Sequence, residues 1–263
     1  MELIVGEVYV ALWLFFIYSF AGVIVEMIYC WTIEYRGVIE SRLGLLYLPF
    51  NLLYGAGGVI ITLALIPYFE NPLVVFALGL VVGTVLEYLT SLVMEKAFHA
   101  VYWDYSKEFL NIQGRVCLKY AIFWGLLSVF LLYVLDVINL RLILSIPALP
   151  GVIALLVLIV LTLASITLTL LAYRRVQQKN TWLKAKQAGQ DAALPNSWWG
   201  RLVDRLVPDV VLVNTFPRMS LITEYQELSG HKRKLIVWNP TFGKASALRR
   251  ESGERAERQS ATA

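Results

Sequence analysis

Hydrophobic positions in this chain fall into five long, nearly continuous runs: Val8 to Trp31, Leu45 to Ile66, Pro72 to Met94, Val116 to Leu135 and Pro150 to Tyr173. A helix needs about 20 mostly apolar residues to cross a bilayer, and each run reaches or approaches that length. Membrane β-barrels would instead show alternating segments of about ten residues. The pattern predicts an all-α polytopic membrane bundle of about five transmembrane helices over residues 1–175, with a short mixed tail over 176–263. The first run contains Glu26 and lacks a basic leader, so it reads as a retained helix rather than a cleaved signal.

Composition sharpens this picture. With 58% hydrophobic and 16% charged residues and a mean hydropathy of +0.64, the chain lies outside the range of soluble domains. Charge is split unevenly: residues 1–173 carry seven Lys/Arg against eleven Asp/Glu, and residues 174–263 carry sixteen against eight. A basic tail directly after a membrane helix points to a cytoplasmic address and contact with membrane lipid, not nucleic acid. Arg36 and Arg42 follow the first run, and Lys96, Lys107, Arg115 and Lys119 surround the junction of the third and fourth, whereas the opposite loops hold only Arg141. The positive-inside rule then predicts a multi-pass cell-membrane protein with its N-terminus outside and its C-terminus cytoplasmic.

Cys30 and Cys117 lie in or beside apolar runs and read as packing residues; His99 and His231 form no ligand pattern, so neither a metal nor a cofactor is expected. In the tail, "SWWGRLVDRLVP" predicts an amphipathic helix near 197–206, with Trp198, Trp199, Leu202 and Leu206 toward lipid and Arg201 and Arg205 in water. "DVVLVNTF" and "KLIVWNP" read as short strands or docking segments, and the Arg/Glu/Ser-rich C-terminus as disordered.

Two stretches conflict with a plain apolar span. "YLPFNLLYGAGG" puts Pro49, Asn51, Tyr54 and Gly55 inside the second run, which predicts either a kinked, tightly packed helix or a broken one lining a polar site. "LEYLTSLVMEKAF" carries Glu87 and Glu95. At 100° per residue Thr84, Glu87, Ser91 and Glu95 form one polar stripe, with Tyr88 beside it and Gly79 and Gly83 offering a path for a close neighbour. An ionised Glu87 at that depth costs about 2.5 to 3.5 kcal/mol unless a partner, water or a proton offsets it. Glu26 poses the same problem in the first run. Arg115 and Lys119, spaced i, i+4 at the expected start of the fourth helix, are candidate partners for these acids. Downstream, "YWDYS" suits the headgroup level; Asp104 either caps a turn or pairs with Arg115, and Trp103, Asp104, Tyr105 and Asn111 are candidates for a cytoplasmic mouth.

The ordered set of Glu26, "SRLGLLYLPFNLLYGAG", "LEYLTSLVMEKAFHAVYWDYS" and "NIQGRVCLKYAIFWG" resembles a bacterial membrane family labelled putative ABC-transporter permease, type IV, over about residues 18–135. The resemblance implies importance for Glu26, Pro49, Tyr54, Gly55, Glu87, Thr90, Ser91, Glu95, Trp103, Asp104, Tyr105, Ser106, Asn111, Gly114 and Arg115, without assigning any of them a catalytic or binding role. The function it implies is a membrane permease subunit; the residues themselves offer, as its polar intramembrane site, Glu26, Glu87, Ser91, Glu95, Arg115 and Lys119. "TFGKAS" is not a phosphate-binding loop, so an ATPase would be a separate chain. Alternatives are a membrane-embedded enzyme acting on a lipid-linked or envelope substrate, or an accessory or sensory protein whose charges fix helix register.

Overall fold

The computed structural model describes residues 2–34, 43–98, 100–191, 193–216 and 220–221. It is an all-α bundle. Helix α1 (Glu2–Tyr29) continues through one wider turn to Glu34; α2 (Leu52–Leu65) ends in a tight turn at Ile66–Tyr68; α3 spans Pro72–Phe98. Helix α4 (Leu118–Phe130) passes through a wide turn at Leu131–Leu135 directly into α5 (Asp136–Ser145), and α6 runs from Ala148 to Gln187. Four stretches are long and apolar enough to cross a membrane: Gly6–Thr32, Pro72–Ala97, Leu118–Ser145 and Ala148–Trp182.

The fifth expected span takes a different form. Its helical part, Leu52–Tyr68, is shorter than a full crossing, because Asn51 caps α2 by accepting a hydrogen bond from the Leu53 amide at 3.1 Å. Residues 43–51 are non-helical, yet Leu45, Leu46 and Phe50 are buried. Backbone groups freed at this depth need protein partners. Neighbouring helices supply them: the Leu46 amide donates to Thr169 Oγ1 at 3.1 Å, Ser165 Oγ donates to the Leu46 carbonyl at 2.5 Å, and the Asn51 amide donates to the Ser19 carbonyl at 3.0 Å. The segment at 43–51 is therefore non-helical, with hydroxyls of α6 supplying its missing bonds, while Tyr54 and Gly55 lie inside the continuous helix α2.

Helix α3 starts where Asn71 accepts from the Leu73 and Val74 amides and Pro72 sets the first turn. Its buried positions are Val75, Gly79, Gly83, Glu87, Ser91 and Glu95, a strict every-fourth row, while Val81, Val85, Leu89 and Val93 are exposed. The glycines therefore extend the same row as the acids rather than lying on a neighbouring part of the surface. A Cβ on Gly83 would strike the Trp124 ring, and one on Gly79 would strike Ser128, so these glycines let α4 lie directly against α3.

The chain carries on helically past the expected boundary at 175/176, which falls inside α6. Two short helices follow, α7 (Trp198–Leu206) and α8 (Asp209–Thr215). Ser197 caps α7 by accepting from the Gly200 amide at 3.2 Å. The segment at 209–215, expected as strand or docking segment, is helical, with Pro208 leading into its first turn. Val203, Val207, Leu212 and Phe216 pack on Ala172, Tyr173 and Val176 of α6. Trp199 joins that contact instead of facing outward, while Trp198, Leu202 and Leu206 are exposed beside exposed Arg201 and Arg205. "KLIVWNP", His231, the C-terminus, and Arg36, Arg42 and His99 lie outside the described residues.

Candidate functional site

The polar stripe of α3 meets the loop that joins it to α4. That loop is tightly organised. Asp104 Oδ1 accepts from the Ser106 amide at 3.0 Å, so Asp104 caps a turn rather than pairing with Arg115. Asn111 ties the loop to itself, donating to the Ser106 and Glu108 carbonyls at 3.2 and 2.9 Å and accepting from the Gly114 amide at 3.1 Å. Gly114 has φ +66°, and a Cβ there would press on Asp104. Its carbonyl accepts from the Tyr105 amide at 2.8 Å, closing the loop on itself.

This loop, not helix α4, delivers Arg115. The sequence reading placed Arg115 and Lys119 on one helical face; instead α4 begins at Leu118, and Arg115 ends a turn whose Gln113 also has positive φ, 54°. Arg115 is 4% exposed and forms a 2.7 Å ion pair with Glu95, itself 6% exposed. Its remaining donors reach Ser91 Oγ at 3.2 Å and Gln113 Oε1 at 3.3 Å, and Trp103 Nε1 donates to its carbonyl at 2.8 Å. Tyr88 donates to the same Gln113 oxygen at 2.9 Å, with the guanidinium 5.7 Å from its ring centre. Lys119 takes no part: it is exposed, with its ammonium 5.0 Å from the Tyr120 ring centre.

Two turns further into the bundle, Glu87 is as buried as Glu95, yet its hydrogen bonds come from neutral donors. Tyr105 OH donates to Oε1 and Trp124 Nε1 to Oε2, each at 3.1 Å. Tyr105 is positioned by stacking on Tyr120, with ring centres 4.6 Å apart. Burial, and then the Glu87 charge, push the Tyr105 phenol well above its ordinary range, so it remains a donor.

Glu26, half-buried on α1, has a different partner from the bases expected: Asn51 Nδ2 donates to it at 3.3 Å. Asn51 thus uses its oxygen to cap α2 and its nitrogen to hold Glu26. Tyr54 stacks near Trp124 at 5.9 Å, with Gly22 of α1 against its ring, and Gly55 admits Ser19. Tyr54 of the second run and Glu87 of the third therefore meet at Trp124. Pro49 lies in the non-helical segment leading to this point.

Trp124 and Gln113 are contributors that the sequence reading did not single out. An indole N–H in the middle of an apolar run was the available signal, since buried indoles find acceptors. Cys30 and Cys117 are both buried, and burial pushes the Cys117 thiol up, keeping it a neutral packing group. Among the described residues, no cluster of three or more His, Cys, Asp or Glu could hold a metal.

A helical bundle of this length and apolarity, with ionised groups gathered inside it, defines a multi-pass membrane protein. The chain belongs to the family described as "Putative ABC-transporter type IV", whose family model matches residues 13–170. The match begins before, and continues beyond, the stretch on which the resemblance was read, taking in most of α6 and stopping before α7. No curated protein and no solved structure gave a match.

Proposed function

We propose that this chain is the membrane-embedded permease subunit of a transport system, and that Glu26, Asn51, Glu87, Ser91, Glu95 and Arg115 form its polar intramembrane site. The observation that carries the reading is the contrast in how two carboxylates on one helix row are satisfied. Glu95 is neutralised by Arg115, but Glu87 accepts, among the described residues, an indole and a phenol hydrogen bond. A charge needed merely to set helix register is better served by an ion pair; a carboxylate held by neutral donors can exchange partners with a passing solute. Trp103, Tyr105 and Asn111 close the site from the loop side, and with the loop cytoplasmic this is its inner mouth. The N-terminus is then outside and the C-terminus inside.

Family membership makes an ATPase subunit the expected partner. Affinity purification of the full chain from native membranes in mild detergent should recover a nucleotide-binding protein in stoichiometric amount. Recovery of the folded chain with no ATPase, combined with turnover of a membrane-borne substrate in the same preparation, would replace the permease reading with an enzymatic one.

A further inference from the structure

A further carboxylate lies inside the bundle. Asp136 is 6% exposed, at the point where the wide turn Leu131–Leu135 hands over to α5. The fourth apolar run ends at Leu135, one residue earlier, but the helical span carries on to Ser145. Tyr18 from α1 donates its phenol hydrogen to Oδ1, and Thr62 from α2 donates to Oδ2 at 2.9 Å. Asn139, one turn on, is buried on the same face. Among the described residues no Lys or Arg is ion-paired with Asp136, and Arg141, on the same helix, is exposed. Among the described residues, Tyr18 is the one titratable group hydrogen-bonded to it; Thr62 and Asn139 do not titrate.

Asp136 and Trp124 are about 18 Å apart along the span at about 1.5 Å per residue. A cleft of about 40 Å³ lies between them, lined by Tyr18, Gly22, Tyr54, Gly58, Trp124 and Leu131 among others. Its lining includes both the tyrosine that bonds Asp136 and the tryptophan that bonds Glu87. Wide helical turns of the kind before Asp136 occur frequently at functional positions.

We propose that Asp136 is a proton-exchange site in the half of the membrane opposite Glu87, with Tyr18 and Thr62 orienting its carboxyl group. Uptake converts the carboxylate and a hydronium ion into the carboxylic acid and water, release reverses this, and no electrons move. The chemistry of the site favours a proton over a metal ion. Both carboxylate oxygens are already occupied by hydroxyl donors, which present hydrogen rather than lone pairs to an incoming cation, and a proton neutralises the group without displacing them. The proposal deepens the transport reading, since it gives the route a second station, but its test does not depend on transport.

The experiment is pH-difference infrared spectroscopy on the full chain in lipid bilayers. A carboxylic acid C=O band should grow as the pH is lowered from mildly alkaline to mildly acidic. It should persist in Glu87→Gln, vanish in Asp136→Asn, and move to higher frequency in Tyr18→Phe, where the acid loses its phenol hydrogen bond. Should Asp136→Asn fail to fold, the Tyr18→Phe displacement still decides the matter. A band unchanged by pH, or a pH-dependent band indifferent to both Asp136→Asn and Tyr18→Phe, overturns the proposal. Loss of transport in Glu87→Gln, or its absence, bears on the permease reading and leaves this band untouched.

Discussion

Glu87 and Glu95 share one helix, one face and nearly one degree of burial, but the fold treats them differently. Glu95 meets a guanidinium carried in by a rigid loop; Glu87 meets two neutral ring donors. The difference follows from reach. The loop at 102–117 folds back on its own backbone, and its Arg115 extends along α3 to Ser91 and Glu95. Beyond that the stripe is covered by α4, whose close approach is set by Gly79 and Gly83 and whose side chain at that level is Trp124. One end of the stripe is thus a closed ion pair suited to holding the loop in place, and the other is a carboxylate with exchangeable partners suited to chemistry.

If that division is correct, damage to the two ends should differ in kind. Arg115→Ala should be the most destructive change, because it strands Glu95 buried without its counter-charge. A loss of about 3–5 kcal/mol is expected, measured as unfolding in detergent or lipid, with much of it recovered when Glu95→Gln is added. Trp124→Phe should cost about 1–3 kcal/mol by removing one donor from Glu87. If Arg115→Ala proved as mild as a surface substitution, the loop anchor would be misassigned.

The tail supplies a milder control, a partly exposed ion cluster. Arg175 clasps Asp204 with bonds of 2.6 to 3.1 Å, and Lys179 bridges Asp204 and Asp209 at 2.8 and 2.9 Å. Burial alone would raise the Asp204 carboxyl, but hydrogen bonds and charge from Arg175 and Lys179 outweigh it and hold the group below its ordinary value. A depressed carboxylate contributes stability that is complete above the unfolded value, about 3.9, and is lost as pH falls through the lower folded value. Docking of α7 on α6 should therefore survive mild acid and loosen only in strong acid, as read by fluorescence of a probe on α7. Loosening near neutral pH would show that other groups hold the tail.

Much of this arrangement could be read from residue order. Continuous apolar runs gave the bundle, and the acids of α3 stood out because hydrocarbon penalises them. Pro49 and Asn51 signalled the break before α2, since one lacks a donor and the other caps. The partners were harder to read. Helix periodicity paired Arg115 with Lys119, but periodicity holds only inside a helix, and the left-handed residues Gln113 and Gly114 put Arg115 in a turn. Asp136 was obscured for a related reason: a wide turn keeps a helix going through a polar residue where hydropathy suggests an end. The helix at 209–215 won over β-branched propensity because docking on α6 selects its Val and Leu side, a tertiary contact that local preference does not contain.

The central claim is that Glu87 serves function and is dispensable for folding. Glu87→Gln preserves shape, and an amide can accept from the Trp124 indole while donating to the Tyr105 oxygen, so the unfolding free energy in lipid should change by about 1 kcal/mol or less. The decisive measurement is that stability together with the cellular and envelope solute profile of a strain carrying Glu87→Gln as its only copy. The expected result is a folded protein and a profile matching that of the deletion strain; a folded protein with the wild-type profile would contradict a functional role for Glu87.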